Sequence, residues 1–375
     1  MQFRDLQKQY EVLKKEIDKE IEDVILSSRF IGGSKVKDLE ESLAEYVGTK
    51  HCITCGNGTD ALELSLMAWG IGEGDVVFVP DFTFFSSGEI VSSLGATPIF
   101  VDVDYDTYNL DAKKLEEAVL EIQKNTNLSP KVVIAVDLFG LPANYKAIKE
   151  VANKYDLKIL EDGAQGFGGE IDDKKACSFG DIGTTSFFPA KPLGCYGDGG
   201  AIFTNDDEIA EMIRSLCVHG KGRMKYDNIR IGMNSRLDAL QAGILMPKFK
   251  AFKEYEVADV NKAAALYTEK LKGIVKLPLI PEGYLSSFAQ YTIKLESEAK
   301  RDELKNKLQK KGIPSMIYYP KPMHLQEAFG EENLGTGDFE VTNKLSATVL
   351  SLPIHPYITE ADIDEVVQVI KDTVK

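Results

Sequence analysis

The chain has 375 residues, 43% of them hydrophobic, and a formal net charge of -15. That size and apolar share suffice for a large core and predict two domains. The acidic balance argues against broad nucleic-acid binding, which needs a basic face, and no segment is long and apolar enough for a membrane span, so a cytoplasmic protein is expected.

The N-terminus, MQFRDLQKQYEVLKKEID, alternates charged and apolar residues at helical spacing and has no apolar core of signal-peptide length. KHCITCGNG follows, with Cys52 and Cys55 spaced as C-x-x-C. No second pair of ligands accompanies them, and the five cysteines are odd in number and scattered. A short buried strand running into a glycine turn is therefore expected here, rather than a redox or zinc site. From about residue 50 to 205, short apolar runs alternate with helical patterns. VVFVP, PIFVDVD, VVIAVDLFG and KILED read as buried strands; ALELSLMAWG, FSSGEIVSSLG, DAKKLEEAVLEI and YKAIKEVANKY carry helical spacing. That alternation implies a mostly parallel sheet covered by helices, with ligands at the carboxyl ends of the strands. A long helical stretch, Leu237 to about Leu271, then leads into a smaller α+β unit. SFAQYTIKL and IPSMIYYP are its expected strands; KRDELKNKLQKKG and EADIDEVVQVIKDTV are its expected helices. The division falls at 1–245 and 246–375.

Three features of the first unit belong to one chemistry. Lys191 lies among apolar and glycine-rich residues in TSFFPAKPLGCYGDGGA. Asp162 ends a strand in ILEDGAQ, and Gly58 and Thr59 open a helix in CGNGTDALEL. Each has a plain structural reading: a snorkelling lysine, a helix cap, a glycine turn. Together, in this order, they are the parts needed to hold pyridoxal phosphate. The lysine bonds the cofactor's carbonyl carbon, the aspartate faces the pyridine nitrogen, and the helix start takes the phosphate. Gln165 could meet the ring's phenolic oxygen, Ser186 could add a phosphate donor, and Phe84 could stack on the ring. Each of these three also reads as ordinary loop or core.

NGTDAL, PDFTFFSS, ILEDGAQGFGG, SFFPAKPLGCYGDGGAIFTND and IGMNSRLDALQAGIL closely resemble the DegT/StrS-type nucleotide-sugar aminotransferases, over nearly the whole chain. The resemblance implies a fold-type I pyridoxal-phosphate enzyme, with a mostly parallel seven-stranded sheet between helices and a smaller C-terminal α+β domain. It implies Lys191 as general acid and base, Asp162 at the ring nitrogen, Gln165 at the ring oxygen, and Phe84 stacked. Gly58, Thr59 and Ser186 would hold the phosphate. Asn234 would reach the phosphate from a second subunit, giving a homodimer with shared sites.

Some relatives carry histidine in place of the lysine and dehydrate the sugar; the lysine here implies transamination. The nearest pattern is that of enzymes aminating C3 of a UDP-linked 3-keto-hexuronic acid in surface-polysaccharide or O-antigen pathways, with L-glutamate as donor and 2-oxoglutarate as product. A 4-keto-6-deoxy sugar nucleotide is the alternative. MIYYPKPMHLQ, with Tyr318, Tyr319 and His324, falls where such enzymes contact the sugar nucleotide, although Tyr318 stands where they often carry histidine. The C-terminal unit has one arginine, Arg301, expected on an exposed helix, so Arg236 is the better carboxylate binder or else an interface ion pair. Sulfur chemistry is disfavoured because no cysteine follows Cys217. A non-catalytic regulatory protein is disfavoured because lysine and aspartate are both kept.

Overall fold

The computed structural model describes residues 1–224, 226–330 and 337–374. Helix α1 (Leu6–Ser27) starts at Asp5, whose carboxylate accepts from the Lys8 N–H. Helix α2 (Ser34–Val47) leads to strand β1 (His51–Cys55). Cys52 and Cys55 are buried there as free thiols, and burial pushes both well above the usual thiol range. A buried thiol of that kind is inert core material.

The strand–helix alternation follows in order. It comprises α3 (Gly58–Ala68), β2 (Asp75–Pro80), α4 (Ser86–Ser93), β3 (Thr97–Val101), α5 (Ala112–Asn125), β4 (Ser129–Val136), α6 (Tyr145–Tyr155) and β5 (Lys158–Asp162). Strands β6 (Ile182–Ser186) and β7 (Gly200–Thr204) and helix α7 (Asp207–Leu216) complete it. The seven strands form one sheet in the order β1-β7-β6-β5-β4-β2-β3. Only β7 pairs antiparallel with its neighbours; the other four pairings are parallel. Strands β2 and β4 are buried on both faces, which is why they read as unbroken apolar runs rather than alternating ones. Two apolar clusters cover the two faces, one centred on Leu64, Val79, Phe100 and Ile134, the other on Phe78, Val119, Val133 and Ile148.

Two expected strands end early because their last residues serve other elements. PIFVDVD stops pairing at Val101. The Asp102 carboxylate instead accepts from the N–H groups of Val341 and Thr342. VVIAVDLFG stops at Val136, and Leu138–Gly140 form a 3-10 turn with Phe139 at φ 59°.

A continuous helical rod then leaves the sheet: α8 (Ala239–Ala251), a wider π-type turn at Phe252–Glu256, and α9 (Val257–Leu271). Leu13 and Ile17 of α1 pack on Ile244 and Ala251 of this rod. The C-terminal part has its own core around Tyr267, Tyr291, Leu304, Leu350 and Ile363. Its elements are β8 (Tyr291–Lys294), α10 (Glu298–Lys310), α11 (Glu340–Thr348), β9 (Val349–Leu352) and α12 (Glu360–Val374). IPSMIYYP is not a strand: among its residues only Met316 bridges to Ser351, and β9 takes the place beside β8. Among the described residues no helix is long and apolar enough to cross a membrane.

Candidate active site

Val136, Asp162 and Ser186 are the last residues of three neighbouring strands, β4, β5 and β6. A cavity of about 630 Å³ opens above them, within the size range of small-molecule sites. Gly58, Thr59, Phe84, Gln165, Lys191, Tyr318 and Tyr319 also line it.

Asp162 is 6% exposed at the floor. Its Oδ2 accepts from the Ser87 hydroxyl at 2.9 Å and its Oδ1 from the Ala164 N–H at 3.2 Å. Burial raises its pKa, while the Ala164 N–H, the Lys191 charge and the Ser87 hydroxyl pull it back down. Lys191 rides on a tight loop: its N–H donates to Phe188 O at 2.8 Å, and Cys195 N–H donates to Phe187 O at 2.7 Å. Phe187, Leu193 and Cys195 anchor that loop in the core. Burial lowers the Lys191 pKa; Asp162 opposes this and Arg4 adds to it. The amine therefore has access to its neutral form, which nucleophilic and proton-moving roles require.

Opposite the lysine, Asn57 caps α3 by accepting from the Asp60 N–H at 2.8 Å, which leaves the first-turn N–H groups of Gly58 and Thr59 at the cavity wall. Ser186 presses directly against this turn: a Cβ on Gly58 would lie 2.7 Å from Ser186 Cβ. The Thr59 hydroxyl pairs with Ser86 at 2.8 Å. Gln165 accepts from the Phe139 N–H at 2.8 Å and donates to the Tyr319 hydroxyl at 2.9 Å, so its amide plane is fixed. Phe84 is 54% exposed on the cavity wall, its ring 6.3 Å from that of Tyr319.

Three predicted residues lie elsewhere. Asn234 and Arg236 are exposed, bonded to each other, and away from the cavity of their own protomer. His324 does not line the cavity of its own protomer either. Its Nδ1 lies 2.6 Å from Asp81 Oδ2, its N–H donates to Asp81 Oδ1, and its ring stacks on Phe339 at 4.3 Å. The buried Asp81 carboxylate thus holds both the backbone and the ring of His324. Arg301 is buried rather than exposed, but it is consumed by Glu298, Asp302 and the Ser346 carbonyl. It is no carboxylate clamp. Two site residues escaped the sequence reading. Ser87 sits one turn beyond the aromatic DFTFF run and holds Asp162. Gln290 lines the cavity with its Oε1 sealed from solvent and unpartnered.

These residues fit pyridoxal phosphate. The first turn of α3 and Ser186 form a cradle too tight for a side chain at position 58, a carboxylate is buried on the floor, and a half-buried amine faces it. Fold and site together define a pyridoxal-phosphate-dependent aminotransferase. The profile of the DegT/DnrJ/EryC1/StrS aminotransferase family matches residues 11–371, and the chain belongs to that family. It is 43% identical over 364 residues to the UDP-2-acetamido-2-deoxy-3-oxo-D-glucuronate aminotransferase of Pseudomonas aeruginosa, covering 97% of each chain. It is 39% identical to a UDP-N-acetyl-3-dehydro-alpha-D-glucosamine 3-aminotransferase of Acidithiobacillus ferrooxidans, over 98% of this chain and 96% of that one. A crystal structure of a DegT/DnrJ/EryC1/StrS aminotransferase from Brucella abortus superposes with a TM-score of 0.97 at 47% identity, covering 100% and 99% of the two chains.

Proposed function

We propose that the protein moves an amino group from L-glutamate to a keto-sugar nucleotide, best a UDP-linked 3-keto-hexuronic acid, in the cytoplasm. The observation that carries the reading is Lys191 facing the buried Asp162 across a cavity walled by the first turn of α3. Residues 1–245 would form the cofactor-holding unit and 246–375 the smaller one.

Pyridoxal phosphate, when bound, supplies a carbonyl that bonds amines and a ring that accepts the electron pair released at the reacting carbon. Asp162, whose ionised form the Ala164 N–H and the Ser87 hydroxyl favour against burial, would hold a positive N–H against itself at the floor. The N–H groups of Gly58 and Thr59 and the Ser186 hydroxyl would bind the phosphate. Gln165 retains one amide N–H for a ring oxygen after serving Tyr319. Lys191, neutral, would take the proton from the glutamate α-carbon, and in the second half would deliver one to the sugar carbon. Glutamate leaves as 2-oxoglutarate, and the keto group becomes an amine.

The full site is proposed to need a second copy of the chain. Leu26, Met224 and Ile231 are 76%, 71% and 89% exposed, with Phe30, Ile31 and Ile229 also exposed, apolar side chains of the kind that a second subunit would cover. Asn234 and Arg236 would then reach the partner's cavity. Apart from Lys191, no cationic side chain lines the protomer's own cavity among the described residues, so a uronate carboxylate would depend on that Arg236. The same aromatic, uncharged wall at Phe84, Tyr318 and Tyr319 favours a 4-keto-6-deoxy sugar as the second reading. The test is transfer of isotopically labelled nitrogen from glutamate to a panel of keto-sugar nucleotides, read by mass spectrometry. Label in the UDP-3-keto-hexuronate alone supports the first reading. Label only in a 4-keto-6-deoxy sugar selects the second.

A further inference from the structure

Residues 2–5, ahead of α1, lie behind the Lys191 loop. Phe3 meets Tyr318 edge-on at 6.3 Å between ring centroids. Arg4 Nη2 donates to the carbonyl of Pro192, the residue after the lysine, at 3.3 Å. Its Nη1 is sealed from solvent without a hydrogen-bond partner. Arg4, Lys191, Pro192, Glu256, His355 and Tyr357 line one small cavity. One acid lining it is already engaged: Glu256 Oε1 accepts from Gln9 at 2.8 Å and from the Tyr357 hydroxyl at 2.6 Å. Asp5 is turned to the Lys8 N–H at the start of α1. Among the described residues no carboxylate forms an ion pair with Arg4, although the Glu256 charge favours its protonated form, so the guanidinium's charge acts on its neighbours.

We propose that Arg4 is a positioning residue for Lys191: it pins the lysine loop from behind through Pro192, and its charge disfavours a second positive charge on the lysine amine. The proposal rests on Lys191 being the reacting amine. The groups facing this pair are Asp162 from the cofactor side and Asp5, Lys248, Glu256, His355 and Tyr357 from α1, the rod and the C-terminal part. Burial pushes His355 down to about 4, so it is neutral at neutral pH. Burial lowers Lys248 to about 8 and Arg4 only to about 10, which leaves Arg4 the persistent cation of the cluster. Burial lowers the proton affinity of Lys191 most, Asp162 raises it, and Arg4 lowers it further. The N-terminal segment thereby links the lysine loop, the Tyr318 wall and the C-terminal part.

The experiment uses cofactor-free protein. Lysines are acetylated by a small amine-reactive ester across a pH series, and Lys191 is quantified by peptide mass spectrometry against exposed Lys8. The plateau rate reports access to the amine, whereas the pH midpoint reports the field on it. In Arg4→Gln the midpoint moves to higher pH, and labelling at pH 8 slows roughly threefold relative to Lys8 once the plateau is normalised. Arg4→Lys keeps the charge and holds the midpoint. An Arg4→Gln midpoint equal to wild type overturns the proposal, as does an Arg4→Lys midpoint shifted as far as that of Arg4→Gln. Should Arg4→Gln not fold, the Arg4→Lys midpoint decides alone: held, it supports the role of charge; raised, it refutes it. Because no glutamate or sugar is used, a failed transamination assay leaves this result interpretable.

Discussion

Alanine at position 58 tests the phosphate cradle with one methyl group. The new Cβ would lie 2.7 Å from Ser186 Cβ and 3.4 Å from Ser186 Cα, the latter on a strand end that cannot rotate away. Restoring ordinary carbon–carbon contact requires α3 and β6 to part by roughly 1 Å. Overpacking of this kind costs about 1–3 kcal/mol. Here the displaced elements are the two walls that would hold the phosphate, so the loss should appear in cofactor affinity, as a fall of roughly 10- to 100-fold. The assay is equilibrium dialysis of pyridoxal phosphate against Gly58→Ala, with Gly58→Ala/Ser186→Gly as the relieving partner. The double variant removes the clash and should recover part of the loss, short of wild type because the Ser186 hydroxyl is gone. Gly58→Ala binding the cofactor within about twofold of wild type, below 0.5 kcal/mol, would refute the cradle.

Ser87→Ala removes one of the two hydrogen bonds that favour ionised Asp162. Cofactor affinity should fall roughly tenfold, with the loss growing toward low pH as the aspartate takes its proton; dialysis at pH 6 and pH 8 reads it. Asp137 and Glu161 are buried side by side, and burial raises both, Glu161 to about 7. Each raised group retains a proton that the unfolded chain releases near pH 4, so stability falls as pH climbs from there, for Glu161 until about 7, at roughly 1.4 kcal/mol per pH unit for each proton retained. Asp137→Asn supplies an amide N–H in place of that proton, and its melting temperature should decline less across this window than that of wild type. Shared sites predict complementation: Lys191→Ala and Arg236→Ala, each inactive alone, should on co-expression recover about a quarter of wild-type activity, because half the dimers are hybrids with one intact site. Activity of Arg236→Ala by itself near wild type would remove Arg236 from the site.

Much of the architecture is legible because parallel strands buried on both faces are plain in sequence. Lys158–Asp162 matches its expected span residue for residue. Local pattern falls short where a side chain is recruited over long range. Asp102 leaves the sheet register to cap α11, 240 residues away in the chain, and His324 is drawn to Asp81, 243 residues away. No local pattern records such partners. IPSMIYYP has the composition of a strand, but Tyr318 and Tyr319 turn to the cavity while β9, from the plain run VLSL, takes the pairing. Arg301 looks exposed among KRDELKNK because burial of its guanidinium depends on Ser346. Of the candidate site, Lys191 and Asp162 are the legible parts, and the structure brings both to one cavity. Ser87 and Gln290 are not legible, because a serine or glutamine gains meaning only from what it faces.

The spectral half-reaction addresses the central claim most directly. Protein loaded with pyridoxal phosphate is treated with L-glutamate, freed of excess donor, and then given a keto-sugar nucleotide, with absorbance followed throughout. The account predicts that glutamate bleaches the band of the lysine-bound cofactor, that UDP-3-keto-hexuronate restores it, and that Lys191→Ala shows no such band at the start. A band that glutamate leaves untouched, with Lys191→Ala spectrally identical to wild type, would contradict the account.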